Sequence, residues 1–277
     1  VTGKGYRPKV IELGKWKWVG LGSIGLFMFI KAILPFAVLL YASLLRFYVP
    51  PTFDYFQDMT WTLQHYRGLF DYRFFGRFFV NTIIVSVVAS TATMILVSFI
   101  AWLVVRSPGR LSGLINVVAF MPLAIPGTIS TVAFFLMFIG TPLYGTLVVL
   151  SLAFVARYLA FGTRLMHSSM LQIHQELEEA SQTSGGSSVQ TLVRIPLPLL
   201  TPAFLNGWLW VMVHAAKDFS VALLLASAGS TLVGNVIYES FVGGSFNSPA
   251  AMLVALILFN LTLVVGGRRW IVKAMNH

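Results

Sequence analysis

Residues Phe78–Val105 read FFVNTIIVSVVASTATMILVSFIAWLVV, 28 residues without one charged side chain. About 20 mostly apolar residues suffice to cross the hydrocarbon core of a bilayer as a helix. The apolar positions do not alternate with period two, so the run does not read as a barrel strand. Five further runs of the same kind flank it: Val19–Tyr48, Leu114–Ile139, Thr146–Met170, Leu200–Ala228 and Pro249–Ile271. The expected fold is an all-α membrane protein of six spans. The first run is overlong and is expected to tilt or to emerge from the bilayer.

Composition agrees. Apolar residues make up 57% of the 277 and charged residues 10%, against about 45–50% and 25% in soluble domains. Mean hydropathy is +0.82. So few charges cannot cover a soluble protein of this size, which excludes a disordered chain and an ordinary cytosolic enzyme. The absence of cysteine excludes disulfides, thiolate metal sites and cysteine nucleophiles.

The net charge of +10 is explained by topology. With the N-terminus in the cytoplasm, twelve of the nineteen Lys and Arg residues fall on the inner side: Lys4, Arg7, Lys9, Lys15, Lys17, Arg106, Arg110, Arg164, Arg194, Arg268, Arg269 and Lys273. Four fall outside (Arg46, Arg67, Arg73, Arg77), among Asp54, Asp58 and Asp71. This is the positive-inside bias, and it puts both termini in the cytoplasm of a multi-pass membrane protein. No nucleic-acid partner is implied. Trp16 and Trp18, interleaved with Lys15 and Lys17, suit an interfacial anchor.

Two connections are long enough to need a reason, the outer one at 49–77 and the inner one at 167–199. The inner loop reads LQIHQELEEASQTSGGSSVQTLVRIPLP over 171–198. Leu171, His174, Leu177 and Ala180 share a helical spacing. Gly185-Gly186 is expected to end that helix, with the left-handed turn at Gly185 and a more tolerant position at Gly186. Ser187 with Gln190 forms a capping-box pattern for a second helix, and Val189, Leu192 and Val193 give it an apolar stripe. Pro196 and Pro198 are expected to stop it before span five. Such a pair cannot bury both stripes alone, so it reads as a docking surface.

The spacing Glu179-Ala180-Ser181, Gly185, Ile195, Leu197-Pro198 closely resembles the EAA loop, E-A-A-x3-G-x9-I-x-L-P, of permease subunits of type I binding-protein-dependent ABC importers. Only the second alanine departs, as Ser181. Asn81-Thr82, Pro122 and Pro126-Gly127 are similar to that family's weaker marks. The resemblance implies a permease fold whose loop seats in a cleft of an ATP-binding subunit. Glu179 would be the ionic anchor, Ala180 and Ser181 would permit close packing, and Gly185 would make the bend. Implied partners are two ATP-binding subunits, a second permease half and an extracytoplasmic solute-binding protein. ATP and Mg would be used by the partner subunits, with no cofactor bound by this chain.

Within the family the chain looks most like the ferric-iron group. Lys217-Asp218-Phe219 with Leu223-Leu224-Leu225 resembles that group's K-E-L…L-L-L stretch, and Arg157 fits. Related permeases for phosphonate, thiamine, sulfate, molybdate or polyamine have similar stretches. The opening Gly3–Pro8 and Leu13–Trp16 look like the linker of a fused twelve-span permease, which would make this chain the C-terminal half. Residues 1–18 are thus expected to be a cytoplasmic linker segment and 19–277 the six-span domain.

Arg157, Lys217 and Asp218 fall within expected spans, where a charge costs at least about 2.5–3.5 kcal/mol. Either they line the translocation path or they form a structural ion pair between spans four and five. Lys217 and Asp218, neighbours on one helix, would point about 100° apart, which leaves Arg157 as a partner for Asp218. Lys31 is expected to snorkel or to face a neighbouring helix, and His214 to be satisfied locally. Pro122 and Pro126 should break or kink span three, and broken helices in transporters often border the path. No catalytic or metal constellation is legible. There is no phosphate loop, His167 and His174 lack a cluster, and Glu176, Glu178 and Glu179 read as a solvated or docking face.

Overall fold

A computed structural model describes residues 14–50, 60–71, 73–107 and 109–275. Residues 1–13 of the linker-like opening, with Lys4, Arg7 and Lys9, lie outside the described residues, as do Asp54 and Asp58.

Five helical stretches are long and apolar enough to cross a membrane: 16–44, 76–106, 147–170, 196–217 and 247–269. A sixth apolar stretch is a bent pair of helices, discussed below. The first stretch comprises α1 (Trp16–Met28), a π-helical turn (Phe29–Ile33) and α2 (Leu34–Leu44). Pro35 explains the π turn, because it has no N–H to return to the carbonyl four residues back, and its ring pushes that carbonyl away. No residue of α1 is buried. After α3 (Gln64–Asp71) comes α4 (Arg73–Arg106), which contains the run quoted at the outset.

The body forms where α4, α7 (Leu147–Met170) and α10 (Pro196–Lys217) meet. In lipid the association of helices rests on close packing, which small residues permit. A Cβ added at Gly162 would lie 3.0 Å from Val97, and one at Gly207 2.6 Å from Met94 and 2.8 Å from Leu165. One buried cluster joins Val85 and Ala89 to Phe154 and Val211. A second joins Met94, Val97 and Ala101 to Met166, Met170, Ile173 and Leu200. Asn81 and Thr82 brace the opposite end of α4. The Asn81 amide donates to the carbonyls of Gly229 and Thr231, both at 3.2 Å, and the Thr82 hydroxyl accepts from Val233 N–H at 3.0 Å.

Two expected spans are interrupted. The stretch expected as span three is broken, as the prolines suggest, into α5 (Arg110–Phe120), a 3-10 turn (Met121–Ala124) and α6 (Gly127–Phe138), with a bend of 105° whose size hydropathy does not show. Pro122 lies in the 3-10 turn. Pro126 is the residue preceding α6 and has extended backbone. Span five stops at Lys217 rather than continuing to Ala228. Asp218 is extended, at φ −82° and ψ 119°, and the chain restarts as α11 (Ser220–Leu225) and α12 (Val233–Val242) before α13 (Asn247–Met275). The apolar run through 228 hides this break, because hydropathy does not register a change of direction.

Candidate functional site

The 171–198 loop folds as two short helices, α8 (Gln175–Thr183) and α9 (Ser188–Arg194). The first begins later than its spacing predicts. Leu171-Gln172-Ile173 is a turn, His174 precedes the helix, and of the expected face only Leu177 and Ala180 lie on α8. Its end is a Schellman motif. Gly186 N–H donates to Ser181 C=O and Gly185 N–H to Gln182 C=O, both at 3.0 Å, with Gly185 at φ +88°. Ser187 and Gln190 then exchange the capping-box bonds, at 3.3 and 3.1 Å. The Ser181 and Thr191 hydroxyls meet at 3.0 Å and pin the two helices together. α9 ends at Arg194, before Pro196 as expected. Pro196 opens α10, where its missing N–H costs nothing, and the direction changes at Ile195 (φ −117°, ψ −70°).

Glu179 and Ala180 are exposed, as are Leu197 and Pro198, while Ser181 and Ile195 are half-buried. Leu177 and Val193 expose 48% and 53% of their surface, so the exposed surface of the helix pair carries apolar as well as acidic groups. Glu178 departs from the expected solvated trio. It is buried, and the Arg106 guanidinium at the end of α4 donates to its carboxylate at 2.7 Å and to Ile173 C=O at 2.9 Å. The sequence reading counted Arg106 only as a topology charge. The signal available was that Glu178 and Glu179, adjacent on one helix, must face different ways.

Gly186 also differs from expectation. A Cβ there would lie 2.9 Å from the backbone oxygen of Ser181, whereas open space surrounds Gly185. Gly185 is constrained by conformation and Gly186 by contact. Gly185→Val, which forces a β-branched residue to positive φ, is expected to cost the loop about 1–3 kcal/mol. Gly186→Ala should show a smaller but measurable loss. Thermal melts of the two variants check the order, and equal wild-type stability would place the bend elsewhere.

The second constellation lies inside the bundle. Arg157 Nε on α7 is 3.1 Å from Asp218 Oδ2, with side-chain exposures of 30% and 12%. Arg157 Nη1 donates to Ser220 Oγ at 3.2 Å. The other Asp218 oxygen accepts from Ser220 N–H at 2.9 Å and from its hydroxyl at 2.7 Å, an Asx turn that starts α11. Tyr158 O–H donates to Asp218 at 3.5 Å. A Cβ on Gly127 would meet Arg157 Nη1 at 2.9 Å. Arg157 therefore stands where both broken spans bend. It meets Asp218 and the Pro126-Gly127 corner, while Pro122 lies one short helix earlier. Sequence reading named Arg157 and Asp218 but missed Ser220.

Lys217 is not part of this cluster. Its exposed side chain lines a cavity of about 470 Å³ with Phe219, Gly234 and Asn260, and it makes no ion pair among the described residues. The break after Lys217 replaces the single-helix geometry expected for Lys217 and Asp218. His214 is satisfied by Trp210 C=O at 2.8 Å and stacks on the Trp210 ring, at 3.8 Å between centroids.

Residues 94–277, which include the loop, match the model of a family described as binding-protein-dependent transport system inner membrane component. The chain belongs to this family. The permease is 31% identical over 246 residues to the putative ferric transport system permease protein FbpB 1 of Haemophilus influenzae, covering 87% of this chain and 38% of that protein. It is 29% identical over 282 residues to the ferric transport system permease protein FbpB of Actinobacillus pleuropneumoniae, covering 97% and 40%. It thus spans about two fifths of the length of these ferric relatives. The spermidine/putrescine permease PotB of Escherichia coli is 25% identical over 231 residues, covering 76% and 83%. In fold the permease is similar to a bacterial ABC transporter involved in alginate import, with TM-score 0.75, 15% identity and coverage of 93% and 95%. It is also similar to the MetNI methionine ABC transporter, with TM-score 0.52, 17% identity and coverage of 69% and 95%.

Proposed function

We propose that this chain forms one half of the translocation pathway of an ATP-driven importer whose cargo is ferric iron. The observation that carries the coupling role is the preformed helix pair of residues 175–194. It exposes the Glu179 carboxylate, the small Ala180 and the apolar Leu177 and Val193, and the Ser181–Thr191 bond fixes its shape. Such a face suits a basic cleft on a separate ATP-hydrolysing subunit, with ATP and Mg held there. The wider assembly would comprise two such subunits, a second permease half, homologous or identical, and an extracytoplasmic binding protein, with both termini of this chain in the cytoplasm. A related structure is of an alginate transporter in complex with a periplasmic protein, which supports the last of these partners.

In this reading Arg157, Asp218, Lys217, Pro122 and Pro126 border the path. The two ferric relatives support iron as cargo, and the PotB relative favours polyamine as the second reading. Uptake of radiolabelled ferric iron and of putrescine, in cells lacking and regaining this chain, separates the two. Loss of iron uptake with putrescine uptake intact is expected. The reverse pattern would replace iron by polyamine, and loss of neither would overturn both.

A further inference from the structure

We propose that the Arg106–Glu178 pair is a clamp that makes α8 move as one body with α4, so that displacement of the docking loop is delivered to the core of the permease. This rests on reading residues 171–198 as the docking loop.

The geometry is specific. One guanidinium reaches two points of the loop, the carboxylate of Glu178 within α8 at 2.7 Å and the carbonyl of Ile173 just before it at 2.9 Å. Both side chains of the pair are only 11% exposed. A surface ion pair would be worth little. Here removal of either partner leaves a shielded charge without compensation. An arginine serving topology alone would sit in headgroups or water, whereas this one is folded beneath the loop.

The two ends of the clamp lie on elements with different duties. Glu178 and Glu179 are neighbours, and successive helical residues point about 100° apart. Glu179 is left on the free face while Glu178 turns to the bundle. Arg106 ends α4, the helix whose Met94, Val97 and Ala101 pack with Met166 and Met170 of α7 and Leu200 of α10. Ile173 belongs to the same cluster. Without the clamp, α8 would be tied to α4 only indirectly, through the apolar contact of Ile173, the backbone at 171–174 that leads back to α7, and the Ser181–Thr191 bond to α9, which continues into α10. An apolar contact can slide, whereas two directed bonds from one planar group fix orientation. Arg106 and Glu178 are therefore positioning residues, acting through the loop rather than on cargo.

The test uses Arg106→Gln, Glu178→Gln and the charge-exchanged double variant Arg106→Glu/Glu178→Arg. Hydrogen exchange of the α8 amides is followed on the permease alone in nanodiscs, and uptake per ATP hydrolysed on the reconstituted transporter. Each single variant should speed α8 exchange by about tenfold, as expected for losing a charge-assisted hydrogen bond. Exchange in α7 should be unchanged. Uptake per ATP should fall comparably while the ATPase partner still co-purifies, because the Glu179 face is untouched. The double variant should recover part of both losses. Recovery will be incomplete because the exchanged pair cannot remake the bond to Ile173. Wild-type exchange and uptake in Arg106→Gln would overturn the clamp, as would a double variant no better than either single one. If a single variant yields no folded protein, the double variant decides by the same criterion. Loss of co-purification with unchanged exchange would make Arg106 a docking residue and also overturn it. Failure of the docking reading is seen separately, as normal partner capture by Glu179→Lys, and leaves the exchange experiment on the isolated permease valid.

Discussion

Glu179→Lys is expected to abolish capture of the ATPase partner and to reduce uptake at least tenfold, while the permease stays folded. The side chain is exposed and makes no hydrogen bond or ion pair among the described residues, so its replacement removes nothing from the fold. Surface changes of that kind stay within about 0.5 kcal/mol, and the melting temperature should move by no more than about 2 °C. The effect arises at the interface. A carboxylate facing a basic cleft gains a charge-assisted contact, and a lysine there adds repulsion to the lost attraction, a swing of about 2–5 kcal/mol for a desolvated pair. At about 1.4 kcal/mol per tenfold, that weakens the complex by about 30-fold or more. Co-purification, melting temperature and uptake measured on one preparation check the prediction. Normal assembly and normal uptake would remove Glu179 from the coupling surface. Glu178→Lys should behave differently, losing stability as well, because its neighbour Arg106 would face a second cation at the same buried site.

Much of this was legible in the sequence because it follows from local rules. Apolar runs of span length lie at or near each membrane-crossing helix, since a backbone in lipid must satisfy its own hydrogen bonds. The cap at Ser187 and the turn at Gly185 were readable because both depend on a few adjacent residues. Two kinds of feature were not legible. Changes of direction inside apolar stretches leave no hydropathy signature: Pro126 announced a break, but not one of 105°, and nothing in the composition marks Asp218 as extended rather than helical. Pairings between distant residues were equally hidden. Arg106 and Glu178 are 72 positions apart, and only the folding of the loop against the end of α4 brings them together. Arg157 and Asp218 were paired on the cost of their charges alone, a global argument that names candidates without giving geometry. It missed Ser220, whose hydroxyl and N–H complete the carboxylate's shell.

That shell makes the Arg157–Asp218 pair separable into its parts, and a double-mutant cycle should find the two residues coupled. Asp218→Asn keeps an oxygen to accept from Ser220 N–H, so the Asx turn at the start of α11 survives while the charge is lost. Arg157→Ala removes the cation and the space it fills against Gly127. Each single variant leaves the opposite charge without its partner within the bundle. Complete burial would make that loss about 3–5 kcal/mol. Arg157 is 30% exposed, so water reaches part of the guanidinium, and a loss of about 1–3 kcal/mol is the expected range. The charge left behind differs between the two. Asp218 is the more enclosed, so Arg157→Ala, which strands the carboxylate, should destabilise more than Asp218→Asn. The double variant strands neither and should recover part of the loss, giving an interaction energy of at least about 0.5 kcal/mol. Thermal stability of the three variants in nanodiscs measures it, and uptake is read on the same samples. If the pair serves the path, uptake in the double variant stays low although stability returns, because the folded charges have gone from where the two broken spans meet. Recovery of both would make the pair a structural tie alone, and strictly additive losses would show that the 3.1 Å approach carries no coupling at all.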